Sequence, residues 1–252
     1  MTRYVALVPA AGTGSRFGKD RPKQYIDMLG KPMLAHSVEV LGRHPRVSAV
    51  AVVISADDTW FQRFDWEVSG AKLQFHRVGG ETRAQSVRNG LLALDGDIGA
   101  DDWVLVHDAA RPCLSIELLD RLIDGVGDDA IGGLLAVRIA DTLKSADDSN
   151  RVSGTRSREG LWGAQTPQMF RRGLLERALT EMQSNEVTDE SSAIEWLGFQ
   201  PLIIESVAEN LKVTFPGDHK LAETILRARR IAPGKDCAVQ QPMAPGEEDP
   251  CV

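Results

Sequence analysis

The sequence predicts an α/β fold, Rossmann-like, with a mostly parallel twisted sheet and helices on both faces. Three observations predict it. Strand-like apolar runs alternate with helix-period segments over most of the 252 residues, as in right-handed βαβ units. The runs are continuously apolar, which suits strands buried on both faces. The first run empties into a small-residue loop with fixed positive charge, a phosphate-binding arrangement beyond a strand's carboxyl end.

The elements follow in order. Tyr4-Val5-Ala6-Leu7-Val8 reads as a buried opening strand. Met33 to Leu41 places Leu34, Val38 and Leu41 on one helical face. Val47 to Ile54 is a β-branched strand and Leu73 to Val78 a shorter one. Helix spacing returns at Ala84, Val87, Leu91 and Leu94, behind Thr82-Arg83-Ala84-Gln85, which has the form of a capping box. Trp103 to His107 is a strand, Leu118 to Val126 a helix, and Ile131 to Ile139 a strand with Gly132-Gly133 near its start. Between Ala140 and Gly163 the rhythm breaks into polar, then charged strand-like sequence. That segment reads as a projecting hairpin arm, marginal alone and expected to pack on a second subunit. Arg171 to Met182 and Asp189 to Leu197 look helical, Leu202–Ile204 and Leu211–Val213 look like short strands, and Asp218 to Arg230 is a closing helix. One domain is therefore expected over residues 1–232, with its arm at about 140–163. The Pro- and Gly-rich stretch 233–252 is expected to be a disordered tail.

Composition excludes several classes. A formal net charge of -7 argues against general nucleic-acid or anionic-membrane binding. No apolar stretch approaches the roughly 18 residues of a membrane span. Cys113, Cys237 and Cys251 have no paired spacing, so a reducing, cytoplasmic setting is expected rather than a disulfide framework. The five histidines form no zinc-ligand spacing.

The loop Pro9-Ala10-Ala11-Gly12-Thr13-Gly14-Ser15-Arg16-Phe17-Gly18, with Lys23 beyond it, carries the most chemistry. Small residues let backbone N–H groups approach phosphate oxygens, and Arg16 and Lys23 supply countercharge. A dinucleotide fingerprint is excluded, because Phe17 stands where its third glycine belongs. A Walker loop is excluded too, since Gly18-Lys19 runs into Asp20. A nucleoside triphosphate loop of another kind remains. A second cue, His107-Asp108-Ala109-Ala110-Arg111-Pro112, follows another buried strand. There Asp108 can hold a hard cation between phosphate oxygens, or simply cap a turn.

Six motifs occur in an order that resembles one family. They are the Pro-Ala-Ala-Gly-x-Gly-x-Arg loop with Lys23, Gly80-Glu81-Thr82-Arg83-x-x-Ser86-Val87, and His-Asp-Ala-Ala-Arg-Pro. Gly160-Leu161-Trp162 with Thr166-Pro167-Gln168, Thr188-Asp189-Glu190 and Asn210-Leu211-Lys212-Val213-Thr214 complete the set. Over roughly residues 3–230 the chain resembles 2-C-methyl-D-erythritol 4-phosphate cytidylyltransferases, enzymes of non-mevalonate isoprenoid synthesis with a nucleotide-diphospho-sugar transferase type of fold. The resemblance implies that CTP and 2-C-methyl-D-erythritol 4-phosphate are joined with release of pyrophosphate, by in-line attack of the substrate phosphate on the α-phosphorus. It implies catalytic roles for Arg16, Lys23, Lys212 and Asp108, with Mg2+ or another divalent cation on Asp108. CTP binding carries over to Pro9, Ala10, Ala11, Gly12, Gly14, Arg16, Lys23, Gly80, Glu81, Arg83, Ser86 and Ala109. Binding of the polyol phosphate carries over to Asp108, Arg111, Thr142, Arg158, Thr166, Thr188 and Lys212. Thr142 and Arg158 lie on or beside the arm, which in the family reaches the partner's site in a homodimer. Glu81 stands where the family more often places Asp. Glu209 is a possible second metal carboxylate, though it also reads as a surface glutamate.

Rival readings remain. A ribitol 5-phosphate cytidylyltransferase would differ around Arg158, Thr188 and Lys212. A sugar-1-phosphate nucleotidylyltransferase would share the first loop and lack the Asp-Ala-Ala-Arg-Pro motif. A non-catalytic nucleotide-binding module would be expected to have lost Lys23, Asp108 or Lys212, and all three are present. No fused cyclodiphosphate synthase domain is expected, since only a short tail follows Arg230.

Overall fold

The computed structural model describes residues 2–12, 21–66, 72–182 and 188–231. Its centre is a seven-stranded sheet built from β1 (Tyr4–Pro9), β4 (Val47–Val53), β5 (Leu73–His76), β6 (Trp103–Val106), β7 (Gly132–Arg138), β10 (Trp162–Arg171) and β11 (Leu202–Glu205). The strand order is β11-β7-β10-β6-β1-β4-β5. β2 (Asp27–Met28) and β3 (Lys31–Pro32) make a small hairpin, and β8 (Leu143–Ala146) and β9 (Val152–Arg156) make the arm.

The continuous apolar runs have a direct cause. Successive strand residues point to opposite faces, and both faces are covered. Ala6 and Val8 of β1, Val50 and Val52 of β4, and Trp103 and Leu105 of β6 enter one core cluster. That cluster packs α1 (Met33–Arg43) through Leu34, Val38 and Leu41, and α3 (Ile116–Val126) through Leu118, Leu119 and Leu122. Their neighbours Val5, Leu7, Ala51, Val53, Val104 and Val106 enter the second cluster. There α2 (Arg83–Ala93), α4 (Arg172–Glu181) and α5 (Glu190–Trp196) supply Val87, Leu91, Leu175, Ala178, Ala193 and Ile194. A third, smaller cluster places Ala222 of α6 (Pro216–Ile231) against Met28, Met33, Cys113 and Val213.

The structure corrects the sequence reading at three places. Leu211–Val213 is a loop, held by the Val213 N–H on the Ala110 carbonyl at 2.8 Å. β2 and β3 were not anticipated. Nor was β10, the ten-residue strand inserted antiparallel between β6 and β7. Gly132 is needed opposite it: at φ +120° a side chain would be strained and would strike the Met169 carbonyl. Within the segment read as an arm, β8 and β9 form a separate two-stranded sheet, with Val152 67% exposed. Gly14, Arg16 and the tail 233–252 lie outside the described residues.

Candidate active site

Parallel strands leave a crevice where the chain order reverses. Here the chain runs from β1 to β4 and β5 on one flank, then returns to β6 on the other. The switch point lies beyond the carboxyl ends of β1 and β6, where open α/β sheets bind ligands. Both sequence cues fall there.

On the β1 side, the Ala10 N–H bonds the Val53 carbonyl at 2.7 Å, and Gln24 Nε2 donates to the Ala10 carbonyl at 2.6 Å. Those two bonds fix the strand end from which Ala11 and Gly12 continue. Gly79 packs so closely that an added Cβ would strike Ala11 Cβ and approach the Ile54 carbonyl to 2.9 Å. Two segments of the expected CTP site, Pro9–Gly12 and Gly80–Ser86, are thus drawn together. The second is braced from α2. Thr82 and Gln85 form the expected capping box, Gln85 Oε1 accepts from the Glu81 N–H at 2.9 Å, and Ser86 Oγ accepts from the Gly80 N–H at 3.1 Å. Ser86 is therefore a loop brace as well as a candidate contact.

On the β6 side, Asp108 is nearly buried, at 7% exposure. Its Oδ1 accepts from Arg83 Nε at 2.8 Å and its Oδ2 from Lys212 Nζ at 2.7 Å. Arg83 turns its other two nitrogens to Glu190, NH1 to Oε1 at 2.6 Å and NH2 to Oε2 at 3.0 Å. An arginine at the first residue of a helix opposes the helix dipole; these two carboxylates are the compensation. Burial alone would raise the Asp108 carboxyl, but Arg83 and Lys212 outweigh it and hold Asp108 well below the usual carboxylate range. Burial lifts the Glu190 carboxyl, with Arg83 offsetting part of that effect. Arg83 itself, though burial opposes its charge, is held more firmly protonated by Glu190 and Asp108.

The main chain at Asp108 is set by β10. Its N–H donates to Thr166 Oγ1 at 3.0 Å. His107 Nε2 lies 3.1 Å from the Arg111 carbonyl, which can only accept, so that nitrogen carries the proton. Nδ1 then accepts from the Thr166 hydroxyl at 3.1 Å. Burial lowers the His107 pKa to about 4, so the ring is neutral, and both nitrogens are spent on structure. Arg111 is buried beside this cluster, donating to the Asn210 carbonyl at 2.8 Å and the Ala164 carbonyl at 3.3 Å, with Nε unpartnered. Burial lowers its pKa, partly countered by Asp108.

The structure thus brings together Asp108, Arg83, Lys212, Thr166 and Arg111, with Ala109 buried alongside. Lys23 lies in a 3-10 turn, Lys23–Tyr25. It faces Asp218, whose carboxyl is lowered by the Phe215 and Thr214 N–H groups and, less strongly, by Lys23. Those N–H groups bond Asp218 Oδ2 at 2.8 and 2.7 Å, fixing the chain just beyond Lys212. Thr188 is exposed, directly before the Asp189 cap of α5. Thr142 and Arg158 are exposed on or beside the arm, while Asp108 is bonded to Arg83, Lys212 and Thr166. Glu209 is exposed.

Among the described residues no group of three His, Cys, Asp or Glu side chains is placed to hold a metal by itself. Magnesium at a triphosphate takes most of its ligands from phosphate and water and needs only one or two carboxylates. Asp108 fits that demand, since each oxygen accepts one bond in the structure and keeps a further lone pair.

Three residues were missed as parts of the site. Glu190 reads in sequence as an acid that suits a helix start, which hides its partnership with Arg83. Gln168 donates to Asp189 Oδ2 at 2.8 Å and accepts from the Ser191 N–H at 2.7 Å, docking α5 on β10. Asn210 Nδ2 donates to the Thr166 carbonyl at 2.9 Å and to Gln165 Oε1 at 3.0 Å. The Thr-Asp-Glu, Thr-Pro-Gln and Asn-Leu-Lys motifs were the available signal for these three.

The described helices include none long and apolar enough to cross a membrane. Residues 4–228 match the family model IspD: 2-C-methyl-D-erythritol 4-phosphate cytidylyltransferase. A protein of that name from Dechloromonas aromatica is 53% identical over 230 residues, 91% of this chain and 100% of the relative. Another from Laribacter hongkongensis is 56% identical over 226 residues, 90% of this chain and 97% of the relative. A crystal structure of 4-diphosphocytidyl-2C-methyl-D-erythritol synthase is similar with a TM-score of 0.79 at 42% identity, covering 90% of this chain and 99% of that one. The Francisella tularensis cytidylyltransferase structure gives a TM-score of 0.76 at 35% identity, over 89% and 100% of the two chains. With the ordered motifs, the sheet and the crevice in place, these matches show that the chain belongs to the 2-C-methyl-D-erythritol 4-phosphate cytidylyltransferase family and is a nucleotidyltransferase.

Proposed function

We propose that the crevice at β1 and β6 joins CTP to 2-C-methyl-D-erythritol 4-phosphate, giving 4-diphosphocytidyl-2-C-methyl-D-erythritol and pyrophosphate for isoprenoid precursor synthesis. The observation that carries this reading is the charge of the site. Three cations, Arg83, Lys212 and Arg111, surround two carboxylates, Asp108 and Glu190, with His107 neutral. One positive charge is left over in a partly dry crevice, where an anion gains most from it.

The substrate phosphate is ionised near neutral pH and is itself the nucleophile. No general base is needed, in keeping with a histidine whose nitrogens are both engaged. Pro9–Gly12 and Gly80–Ser86 hold the nucleotide, with Gly14 and Arg16 from the first loop, and the tight Gly79–Ala11 approach supports a pocket shaped for a pyrimidine. Lys23 and Arg16 neutralise charge developing on the triphosphate. Lys212, held by Asp108, and Arg111 meet the polyol phosphate, with Thr166 and Thr188 beside them. A magnesium ion on Asp108 would screen the triphosphate charge when bound.

Thr142 and Arg158 belong to the neighbouring subunit's site in a homodimer. Support comes from an arm too small to be stable alone, with Val152 67% and Leu161 45% exposed. A cytoplasmic setting is supported by the free, buried Cys113.

The test is pyrophosphate release with magnesium and CTP, comparing 2-C-methyl-D-erythritol 4-phosphate with ribitol 5-phosphate. Release with the branched tetritol phosphate alone is expected. Release only with ribitol phosphate would move the enzyme to another substrate, and silence with both would leave a CTP-binding module.

A further inference from the structure

We propose that Glu190 is a positioning residue for the transfer, acting through Arg83 on Asp108. The proposal rests on the reading of Asp108 and the Gly80–Ser86 loop given above. Arg83 stands at the first residue of α2, directly after that nucleotide loop, and its Nε reaches across to Asp108. One such bond would leave a long, flexible side chain free to turn. The two parallel bonds from NH1 and NH2 to Glu190 fix the plane of the guanidinium, so that Nε can point only at Oδ1.

Glu190 is well placed for that task. It is 1% exposed, and both its carboxylate oxygens accept from Arg83. Its main chain cannot drift, because Asp189 before it and Ser191 after it are both bonded to Gln168 of β10. The same strand carries Thr166, which receives the Asp108 N–H. Asp108 is therefore located twice from β10, through its main chain by Thr166 and through its side chain by Glu190 and Arg83. With Oδ1 so held, Oδ2 is presented to Lys212. A purely stabilising role explains the pair less well, since burying ions costs about as much as their attraction returns.

A double-variant cycle separates the two roles. Wild type, Glu190→Gln, Arg83→Ala and the double variant are compared for kcat, for KM of each substrate, for CTP affinity by calorimetry, and for melting temperature. Glu190→Gln is expected to lower kcat at least ten-fold in the native background while keeping a cooperative melt. In the Arg83→Ala background the same substitution should change kcat less than two-fold and raise the melting temperature, because it removes a buried carboxylate left without its partner. Glu190→Asp should recover part of the native rate. An equal fold-loss in both backgrounds, or an unchanged kcat in a folded Glu190→Gln, overturns the proposal. If Glu190→Gln fails to fold, Glu190→Asp is run through the same two backgrounds. If the wild type transfers nothing, the functional reading has failed, and the cycle read in CTP affinity still decides the coupling: a loss confined to the native background supports it and an equal loss in both backgrounds removes it.

Discussion

At Asp108 a single carboxylate gathers cations that arrive from three different parts of the chain: Arg83 from α2, Lys212 from the loop before α6, and Arg111 from its own turn. Lys23, which acts on Asp218, comes from a fourth. Charge on a transferring phosphoryl group grows most in the transition state, so Lys23→Ala should reduce kcat roughly hundred-fold or more. Its CTP dissociation constant should change much less, as steady-state kinetics beside a CTP titration will show; equal losses would assign Lys23 to ground-state binding. His107 gives a prediction in stability. Its folded pKa, lowered to about 4 by burial, lies below the ordinary 6.5. Between those values the unfolded chain binds more protons than the folded one. The contribution is thus complete above about pH 6.5 and lost as pH falls toward 4, amounting to about 3 kcal/mol in all. His107→Gln should flatten the fall in stability over that window, measured by denaturant titration at several pH values. It should not abolish it, because burial also lowers His36 and His76.

Among the elements, the segments Pro9–Gly12 and Gly80–Ser86 depend on a contact at Gly79 that admits no side chain. Gly79→Ala should cost about 1–3 kcal/mol of stability, because Ala11 and the Ile54 carbonyl have little room to retreat. It should also raise the KM for CTP, and an unchanged KM would show that the loops do not need their close approach. How far the sequence revealed the elements depended on what each strand buries. β1, β4 and β6 were legible because both faces meet apolar helices, which forces an unbroken apolar run. β10 was not, because its middle reads Gln165-Thr166-Pro167-Gln168, with a proline that argues against a central strand. Those residues are buried, and they are polar because they hold Asp108, Asn210 and α5 in place. Pro167 falls where the pairing with β7 is interrupted, between Ala164 and Gln168. Leu211–Val213 misled in the opposite direction: its alternating pattern looks like a strand, while the backbone is bent to bring Lys212 onto Asp108. The charged motifs were legible as a set, whereas the Glu190 partnership was not, because an ion pair across 107 residues leaves no local pattern.

For the whole molecule, if Thr142 and Arg158 bind substrate in a neighbouring subunit, the site of one subunit is incomplete without a second. Arg158→Ala should raise the KM for the polyol phosphate several-fold and leave that for CTP near its native value. Mixed dimers of Lys23→Ala and Arg158→Ala subunits should regain part of the activity, since one of their two sites would pair native Lys23 with a native arm. Mixing the purified variants and assaying release of pyrophosphate checks this, and inactivity in proven mixed dimers would mean that each site is built within one chain. The placement of β10 also bears on the order in which the molecule comes into being. β6 and β7 are complete once Arg138 has left the ribosome, yet the strand that separates them is still unmade. Residues 162–171 close the gap, and the hairpin of residues 143–156 must emerge before them. A newborn chain therefore acquires the β8–β9 hairpin before the middle of its own sheet is finished, and seating the last central strand is also what ties down the hairpin's downstream end.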